Sequence, residues 1–292
     1  GKHNMLVHPN PDPVAFSIGP VDIHWYGLMY LVGFGAAYLL GSLRARQPGS
    51  GWTAEMVSDF VFWGAMGAVL GGRFGYVLFY NFDQFLADPL WLFAVWEGGM
   101  SFHGGLLGVT IAILIIAKQR GIKLMPIADI AGVVTPIGLF LGRCANFINA
   151  ELYGRPTDAP IGMVFPEGRA GGTPSAYNWQ THEWVYTGNE VARHPSQLYE
   201  ATLEGLVPAI IISILVWRFG LLKRPGLAAG LFLLFYGVGR SISEQFREPD
   251  SFTWGVMPDW LTMGQLLSLP MWIGGAFLVW NALRKPPVQV SA

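Results

Sequence analysis

Three arginines stand in long apolar stretches of the chain, where a charged side chain is costly. Arg73 lies in GGRFGY, Arg143 in LGRCANFIN and Arg240 in YGVGRSISEQFR. An arginine at the centre of a membrane helix costs roughly 2.5–3.5 kcal/mol on insertion scales, and such residues usually face an interior cavity. A guanidinium stays charged and binds phosphate bidentately. The three arginines therefore indicate a site for an anionic lipid headgroup, with snorkelling to the membrane surface or an interhelical salt bridge as the structural alternative.

Helical spacing gives one of these arginines its neighbours. Tyr236, Arg240 and Glu244 recur at intervals of four residues, which places them on one helix face. Arg247 follows Glu244 by three residues and continues that face. We therefore expect Glu244 to hold Arg240 or Arg247 in place through an ion pair, as the groups that support a binding site often do.

A histidine between two glycine pairs is a candidate general base. His103 lies in GGMSFHGG, just inside the start of an apolar segment. Histidine is the usual proton acceptor near neutral pH, and glycine allows a ligand to approach the backbone closely. A hydrogen-bonded histidine at the start of a helix is the structural alternative.

The other polar residues of interest have simpler interpretations. Asn146 follows Arg143 by three residues, so the two share a helix face. Tyr26, in HWYGLMY, is expected in an aromatic belt at the membrane surface, with the wall of a site as the alternative. Ser196, in RHPSQLYE, is expected to cap a helix. Cys144 is the one cysteine, which excludes an intrachain disulfide, and an isolated cysteine is more often a small buried apolar residue than a nucleophile.

The composition indicates that a bilayer surrounds these residues. The chain is 52% hydrophobic and 13% charged, whereas soluble domains average about 25% charged residues. A membrane helix needs roughly 17 to 25 mostly apolar residues. The sequence therefore predicts an all-α integral membrane protein, a single polytopic domain over residues 1–292. Its seven predicted transmembrane helices lie near 24–42, 56–80, 100–117, 126–143, 199–217, 226–243 and 263–283, and Asp129 and Pro136 interrupt the fourth.

The distribution of cationic residues predicts the orientation. Ten lysines and arginines follow the first, third, fifth and seventh spans, and the positive-inside rule then places the N-terminus outside and the C-terminus in the cytoplasm. Residues 144–198, rich in proline and glycine, are predicted to form a small head between spans 4 and 5, with a flexible linker as the alternative. Five aromatic residues are available for its core: Phe165, Tyr177, Trp179, Trp184 and Tyr186.

Several long strings resemble bacterial prolipoprotein diacylglyceryl transferases. These are HWYGLMYL, GGRFGYVLFYN, GGMSFHGG, GRCANFINAELYGR, RHPSQLYE and YGVGRSISEQFREPD. The resemblance runs from about Asp12 to Trp280, and the segment from Asp158 to Val191 matches least. It implies a seven-helix enzyme of the bacterial inner membrane with a periplasmic head.

The family resemblance also implies an activity and a set of site residues. The expected reaction, the first step of lipoprotein maturation, moves the diacylglyceryl group of phosphatidylglycerol to the thiol of the lipobox cysteine of a preprolipoprotein, giving a thioether and glycerol phosphate. Arg143 is expected to bind the phospholipid, and His103 and Arg240 to be catalytic. Supporting or lipid-binding roles are implied for Tyr26, Asn146, Glu151, Gly154, Tyr236, Glu244 and Arg247, whereas Arg73 is either part of the same cluster or paired structurally.

The expected partners follow from this chemistry. They are phosphatidylglycerol, the lipobox peptide and the lipid bilayer. The net charge of −1 does not favour nucleic acid as a partner, and no metal or cofactor is expected. An anion transporter or channel is the main competing interpretation, since arginines within the membrane and broken helices also suit that class. A membrane phosphatase or phospholipase is the third.

Overall fold

The structure, a computed structural model, describes residues 6–95, 99–166, 176–178, 183–185, 190–248 and 263–288. The chain is mostly helical. Helical residues occupy each of the seven apolar segments that the sequence predicts as spans. The helices are α1 (Trp25–Ala45), α2 (Ala54–Tyr80), α3 (Phe82–Ala87), α4 (Phe102–Arg120), α5 (Leu124–Ile148), α6 (Ser196–Glu200), α7 (Val207–Phe219), α8 (Leu227–Ser243) and α9 (Met263–Leu283).

Among the described residues, four helical segments are long and apolar enough to cross a membrane. They are α1, α2, α5 and the continuous segment Ser196–Phe219, in which a π-helical turn, Ala201–Leu206, joins α6 to α7. Shorter apolar helices occupy Leu227–Ser243 and Ser268–Leu283. Large apolar side chains are exposed on these helices, for example Leu31 and Ile273, and exposed apolar surface of this kind suits contact with lipid.

Short strands pair outside the long helices. The strands are β1 (Leu6–Val7), β2 (Val14–Ile18), β3 (Val21–His24), β4 (Met163–Val164), β5 (Ala176–Asn178) and β6 (Glu183–Val185). β1 pairs in parallel with β4, whereas β2 with β3 and β5 with β6 form antiparallel pairs. The described residues cluster into two compact units: the first comprises those up to Gly33 and those within Ala128–Val288, and the second comprises those within Phe34–Ile127.

In the first unit, helix α5 includes Asp129 and Pro136, the two residues that interrupt its apolar sequence. Pro136 lies inside the helix, which continues to Ile148, beyond the predicted end at residue 143. The buried Asp129 carboxylate accepts hydrogen bonds from the backbone N–H groups of Gly226 at 2.8 Å and Ala229 at 3.0 Å. These donors stand at the start of α8 and have no partner within that helix. Asp129 therefore caps α8 from another helix, which explains an acidic residue in an apolar segment.

A small apolar cluster forms where the predicted head begins. Ala150, Tyr153 and Phe165 are buried together, and Phe147 and Met163 pack against them. His8, next to β1, approaches the same cluster, with Nε2 lying 2.6 Å from the Phe147 carbonyl oxygen. Of the aromatic residues expected in a head core, Phe165 is fully buried, and Tyr177 and Trp184 are paired in the β5–β6 hairpin. Trp179 and Tyr186 lie outside the described residues.

In the second unit, α2 and α4 pack closely along glycines. Gly67, Gly71 and Gly75 repeat every fourth residue on α2, and Gly104 and Gly108 do so on α4. A Cβ added at Gly71 would collide with the Gly104 carbonyl oxygen, and one added at Gly67 would collide with that of Gly108. Small residues at four-residue spacing allow helix backbones to approach in this way in membranes.

Candidate active site

A single buried glutamate gathers three arginines in the first unit. Glu200, the last residue of α6, has no solvent-accessible side chain. Its carboxylate lies 2.7 Å from Nη2 of Arg143, 3.5 Å from Nη1 of Arg240 and 3.0 Å from Nη1 of Arg247. A charge buried so deeply is tolerated only when it is paired and hydrogen-bonded. Glu200 is therefore the centre of an arginine cluster, which we define as Arg143, Arg240 and Arg247.

Glu244 supplies the second carboxylate of this cluster. Its Oε2 atom lies 3.2 Å from Nε of Arg240 and 3.9 Å from Nε of Arg247. Glu244 directly follows α8 and is itself nearly buried. The structure thus pairs Glu244 with both arginines that its sequence spacing singled out. Two carboxylates fix the directions in which the three guanidinium groups point.

The three arginines come from different parts of the chain and keep partial access to solvent. α5 carries Arg143, α8 carries Arg240, and Arg247 follows α8 in the loop. Their side chains are 18%, 13% and 12% exposed, respectively, whereas that of Glu200 is 0% exposed. Together the three guanidinium groups carry more N–H donors than the carboxylates of Glu200 and Glu244 can accept. The accessible side of the cluster can therefore bind an anion.

Asn146 and Glu151 extend the polar network from Arg143. Nη1 of Arg143 donates to Oδ1 of Asn146 at 3.5 Å, and Nδ2 of Asn146 donates to Glu151 at 2.8 Å. The backbone carbonyl of Glu151 accepts a 2.6 Å hydrogen bond from Nε2 of Gln197, a fully buried residue of α6. Through these contacts the end of α5 and the start of α6 are tied together at the cluster.

Gly154 holds the loop that carries Arg247. Its N–H donates to the His194 carbonyl at 2.8 Å, and the residue bridges to Arg247 in an antiparallel pair. The next residue, Arg155, donates from Nε to the Arg247 carbonyl at 2.6 Å. A Cβ at Gly154 would collide with the Phe246 carbonyl oxygen and lie 2.9 Å from the His194 backbone oxygen. The position therefore requires glycine because the two backbone segments touch.

Two tyrosines lie near the network. The Tyr26 hydroxyl is 3.0 Å from that of Tyr30, one turn further along α1, and Tyr26 is within electrostatic range of Glu151. Tyr236, on α8, is within electrostatic range of Arg240 and Arg143. For Tyr26, an aromatic belt and the wall of a site remain the two interpretations.

Arg73 and His103 belong to the second unit. Nε and Nη2 of Arg73 donate to the carbonyls of Leu92 at 3.0 Å and Trp91 at 2.7 Å, and the guanidinium stacks 4.4 Å from the Trp91 ring centroid. These contacts hold the buried Arg73 side chain against backbone carbonyls and an aromatic ring. His103 is the second residue of α4 and is exposed, and the helix is capped by Ser101, which accepts from the Gly104 N–H at 3.2 Å.

The sequence interpretation missed the role of Glu200 and misassigned Ser196. The Ser196 hydroxyl makes no capping hydrogen bond to its helix and donates instead to the Leu152 carbonyl at 3.1 Å. The sequence motifs assign no role to Glu200. A usable signal was present, since Glu200 and Glu204 are acidic residues four apart in an apolar helix, and ionisable residues in membrane helices usually mark function.

Tyr153 and His194 lie in the loops beside the cluster, outside the apolar helices. Burial raises the pKa of the Tyr153 phenol and lowers that of the His194 imidazole, because it disfavours the charged form of each group. Nδ1 of His194 lies 3.0 Å from the Tyr199 hydroxyl. Both shifts favour the neutral form of these two side chains near pH 7.

Comparisons with known proteins show which family the chain belongs to. The family model described as "Prolipoprotein diacylglyceryl transferase" matches residues 13–281. A Vibrio vulnificus protein named "Phosphatidylglycerol--prolipoprotein diacylglyceryl transferase" is 51% identical over 284 residues, covering 97% of this chain and 96% of that protein. A protein of the same name from Coxiella burnetii is 48% identical over 281 residues, covering 96% of this chain and 98% of that protein. Another from Pseudomonas savastanoi is 46% identical over 293 residues, covering 99% of each chain. The chain is therefore a member of the prolipoprotein diacylglyceryl transferase family.

Proposed function

We propose that this chain transfers the diacylglyceryl group of phosphatidylglycerol to the thiol of a lipobox cysteine in a preprolipoprotein. The observation that carries the proposal is the arginine cluster held on the buried Glu200 carboxylate, in a chain of this family. The relatives' names supply the lipid and the acceptor. The products are a thioether on the cysteine and glycerol phosphate.

The reaction replaces one bond at a saturated carbon. The cysteine sulfur attacks the sp³ carbon of the diacylglyceryl group, a C–S bond forms, and the C–O bond to phosphate breaks. The phosphodiester begins with one negative charge, and the departing monoester gains a second as that bond breaks. Donors fixed in place before the reaction lower the barrier most when they face the atoms on which charge develops.

The arginine cluster suits this task. We assign Arg143 and Arg240 to the phosphate, because a guanidinium remains charged and can offer two parallel N–H groups to phosphate oxygens. Glu200 and Glu244 hold these side chains in position, so little reorganisation is needed when charge develops. Asn146 and Glu151 continue the network from Arg143 and act as positioning residues in this mechanism.

His103 is our candidate for the proton acceptor. The thiolate is the nucleophilic form of cysteine, and a free cysteine has a pKa near 8.5, so only a small fraction is ionised at pH 7. The residue type of His103, its exposed place at the start of α4 and the resemblance support this role. The arginine field is an alternative source of thiolate, since nearby cations favour the anion.

For the membrane arrangement we propose seven spans in the bacterial inner membrane, with the N-terminus and the head on the periplasmic side and the C-terminus in the cytoplasm. The supports are the four long apolar helices, the further apolar helices at Leu227–Ser243 and Ser268–Leu283, and the excess of Lys and Arg after alternate spans. Reporter fusions after each helix test this arrangement. If a reporter that works only in the periplasm is active when fused to the C-terminus, the proposed orientation is wrong.

The activity is tested with purified protein, labelled phosphatidylglycerol and a lipobox peptide. We expect glycerol phosphate to be released only when the peptide is present, together with a gain of the diacylglyceryl mass on the peptide thiol. Release without peptide would identify a phospholipase. Solute uptake by liposomes without any release would identify a transporter, and either result would contradict the proposal.

A further inference from the structure

Glu204 is a buried carboxyl with unused hydrogen-bonding capacity. It lies in the π-helical turn Ala201–Leu206, and it is fully buried. Among the described residues, neither of its carboxyl oxygens has a hydrogen-bond partner. Burying a polar group without a partner costs free energy, and such groups are rare in folded proteins. π-helical turns also occur frequently at functional sites.

The surroundings of Glu204 place it beside the proposed phosphate site. Glu204 follows Glu200, the centre of the arginine cluster, by four residues in the same continuous helical segment. A Cβ added at Gly239 on α8 would lie 3.2 Å from Cγ of Glu204, so α8 packs directly against the glutamate side chain. Gly239 directly precedes Arg240, so this packing places the Glu204 side chain near the arginine cluster.

The headgroup of the proposed substrate carries hydrogen-bond donors close to its phosphate. The headgroup of phosphatidylglycerol is a glycerol whose two free hydroxyl groups sit on adjacent carbons. A short carbon chain separates them from the phosphodiester, so an acceptor next to phosphate-binding arginines is suitably placed for them. A carboxylate can accept a hydrogen bond on each of its two oxygens.

We propose that Glu204 binds the two hydroxyl groups of the glycerol headgroup and thereby selects phosphatidylglycerol over phosphodiesters that lack them. This inference rests on the proposed function, and it assigns to Glu204 a recognition role that transfer chemistry alone does not need. A headgroup without hydroxyls leaves the buried carboxyl unsatisfied in the complex. Sites built to hydrogen-bond a substrate hydroxyl reject analogues that lack it for this reason.

The experiment compares two lipids of equal phosphate charge. Transfer to a lipobox peptide is measured from phosphatidylglycerol and from phosphatidylmethanol carrying the same acyl chains. For the wild-type chain we expect kcat/KM to favour phosphatidylglycerol by at least about tenfold. Glu204→Leu should bring the ratio close to one, and Glu204→Gln, which keeps one acceptor, should give an intermediate ratio.

The matched control is Glu248→Gln. Glu248 is 57% exposed and pairs with Arg193, so this variant also loses a carboxylate but should keep the wild-type ratio. The ratio is insensitive to the fraction of folded protein, because both lipids meet the same preparation. If Glu204→Leu is inactive, native mass spectrometry can instead measure how much phosphatidylglycerol and how much phosphatidylmethanol each protein retains. Loss of the wild-type preference for phosphatidylglycerol in the variant supports the proposal.

Two results would overturn the inference while leaving the proposed function intact. One is a wild-type protein that uses both lipids equally well. The other is a Glu204→Leu variant that keeps the wild-type preference, in transfer or in retention. By contrast, a wild-type protein that transfers nothing from phosphatidylglycerol would remove the proposed function, and this inference with it.

Discussion

The Glu200 carboxylate lies 2.7 Å from Nη2 of Arg143, although the two residues belong to helices far apart in the sequence. The same carboxylate contacts Arg240 and Arg247, so one buried anion orients three cations. Removal of one partner from a buried ion pair leaves an uncompensated charge. The cluster therefore depends on Glu200 both for its stability and for the directions of its donors.

We expect Glu200→Gln to lower both stability and transfer. Loss of a buried ion-pair partner typically costs about 3–5 kcal/mol, so the thermal unfolding midpoint in detergent should fall clearly. Glu248→Gln serves as the control, because an exposed pair contributes about 0–1 kcal/mol. The measurement is thermal unfolding of both variants side by side, and equal midpoints would contradict the central role of Glu200.

We expect Arg143→Lys to reduce kcat by about a hundredfold, and Arg143→Ala to reduce it further. Lysine keeps the charge but presents a single ammonium, and it cannot reproduce the paired N–H groups of a guanidinium. Arg120→Lys is the control, since Arg120 pairs with Glu55 and Asp59 at 32% exposure. Steady-state transfer rates decide the question, and a wild-type rate for Arg143→Lys would refute bidentate phosphate binding.

We expect Gly154→Ala to lose most activity. Its methyl group would meet the Phe246 carbonyl oxygen and the His194 backbone, which forces apart the two segments that position Arg247. Overpacking of this kind typically costs about 1–3 kcal/mol. Gly138→Ala is the matched control, because a Cβ there meets nothing within 4 Å. Both variants are assayed for transfer and for folded yield, and equal activities would show that the close approach is dispensable.

We expect Gly71→Ala to destabilise the packing of α2 on α4. The added methyl would strike the Gly104 carbonyl oxygen, and backbone atoms cannot move aside as a flexible side chain can. Gly64→Ala, on the same helix with open space around its Cβ, should stay close to wild type. The readout is the folded fraction that survives heating, measured by size-exclusion chromatography, and identical survival of the two variants would argue against this interface.

We expect His103→Gln to shift the rising limb of the rate–pH profile to higher pH. Without a proton acceptor, the reaction depends on the thiol's own ionisation, whose ordinary pKa is near 8.5. At pH 7 the variant should therefore be slow, and its rate should recover partly as the pH rises towards 9. Rates across the pH range test this, and an unchanged profile with full activity would eliminate His103 as the base.

The sequence by itself determined the class of structure and the types of residue at the site. Long apolar segments can satisfy their backbone groups in a membrane only as helices, so their length was sufficient to predict helical residues in each. Four-residue spacing likewise placed Arg240 and Glu244 on one face, and the structure shows them paired at 3.2 Å. Local periodicity carries this information because it depends on one helix alone.

Only the tertiary structure decided which of these residues meet. The sequence pairs Glu200 with no other residue, whereas α5, α6 and the end of α8 bring Arg143 and Arg247 to its carboxylate. The requirement for glycine at Gly154 and the unsatisfied carboxyl of Glu204 depend equally on backbone and side chains distant in sequence. Contacts between distant segments depend on how the helices pack, and helical spacing carries no information about that packing. In this chain those contacts show which charged helix residues belong to the site.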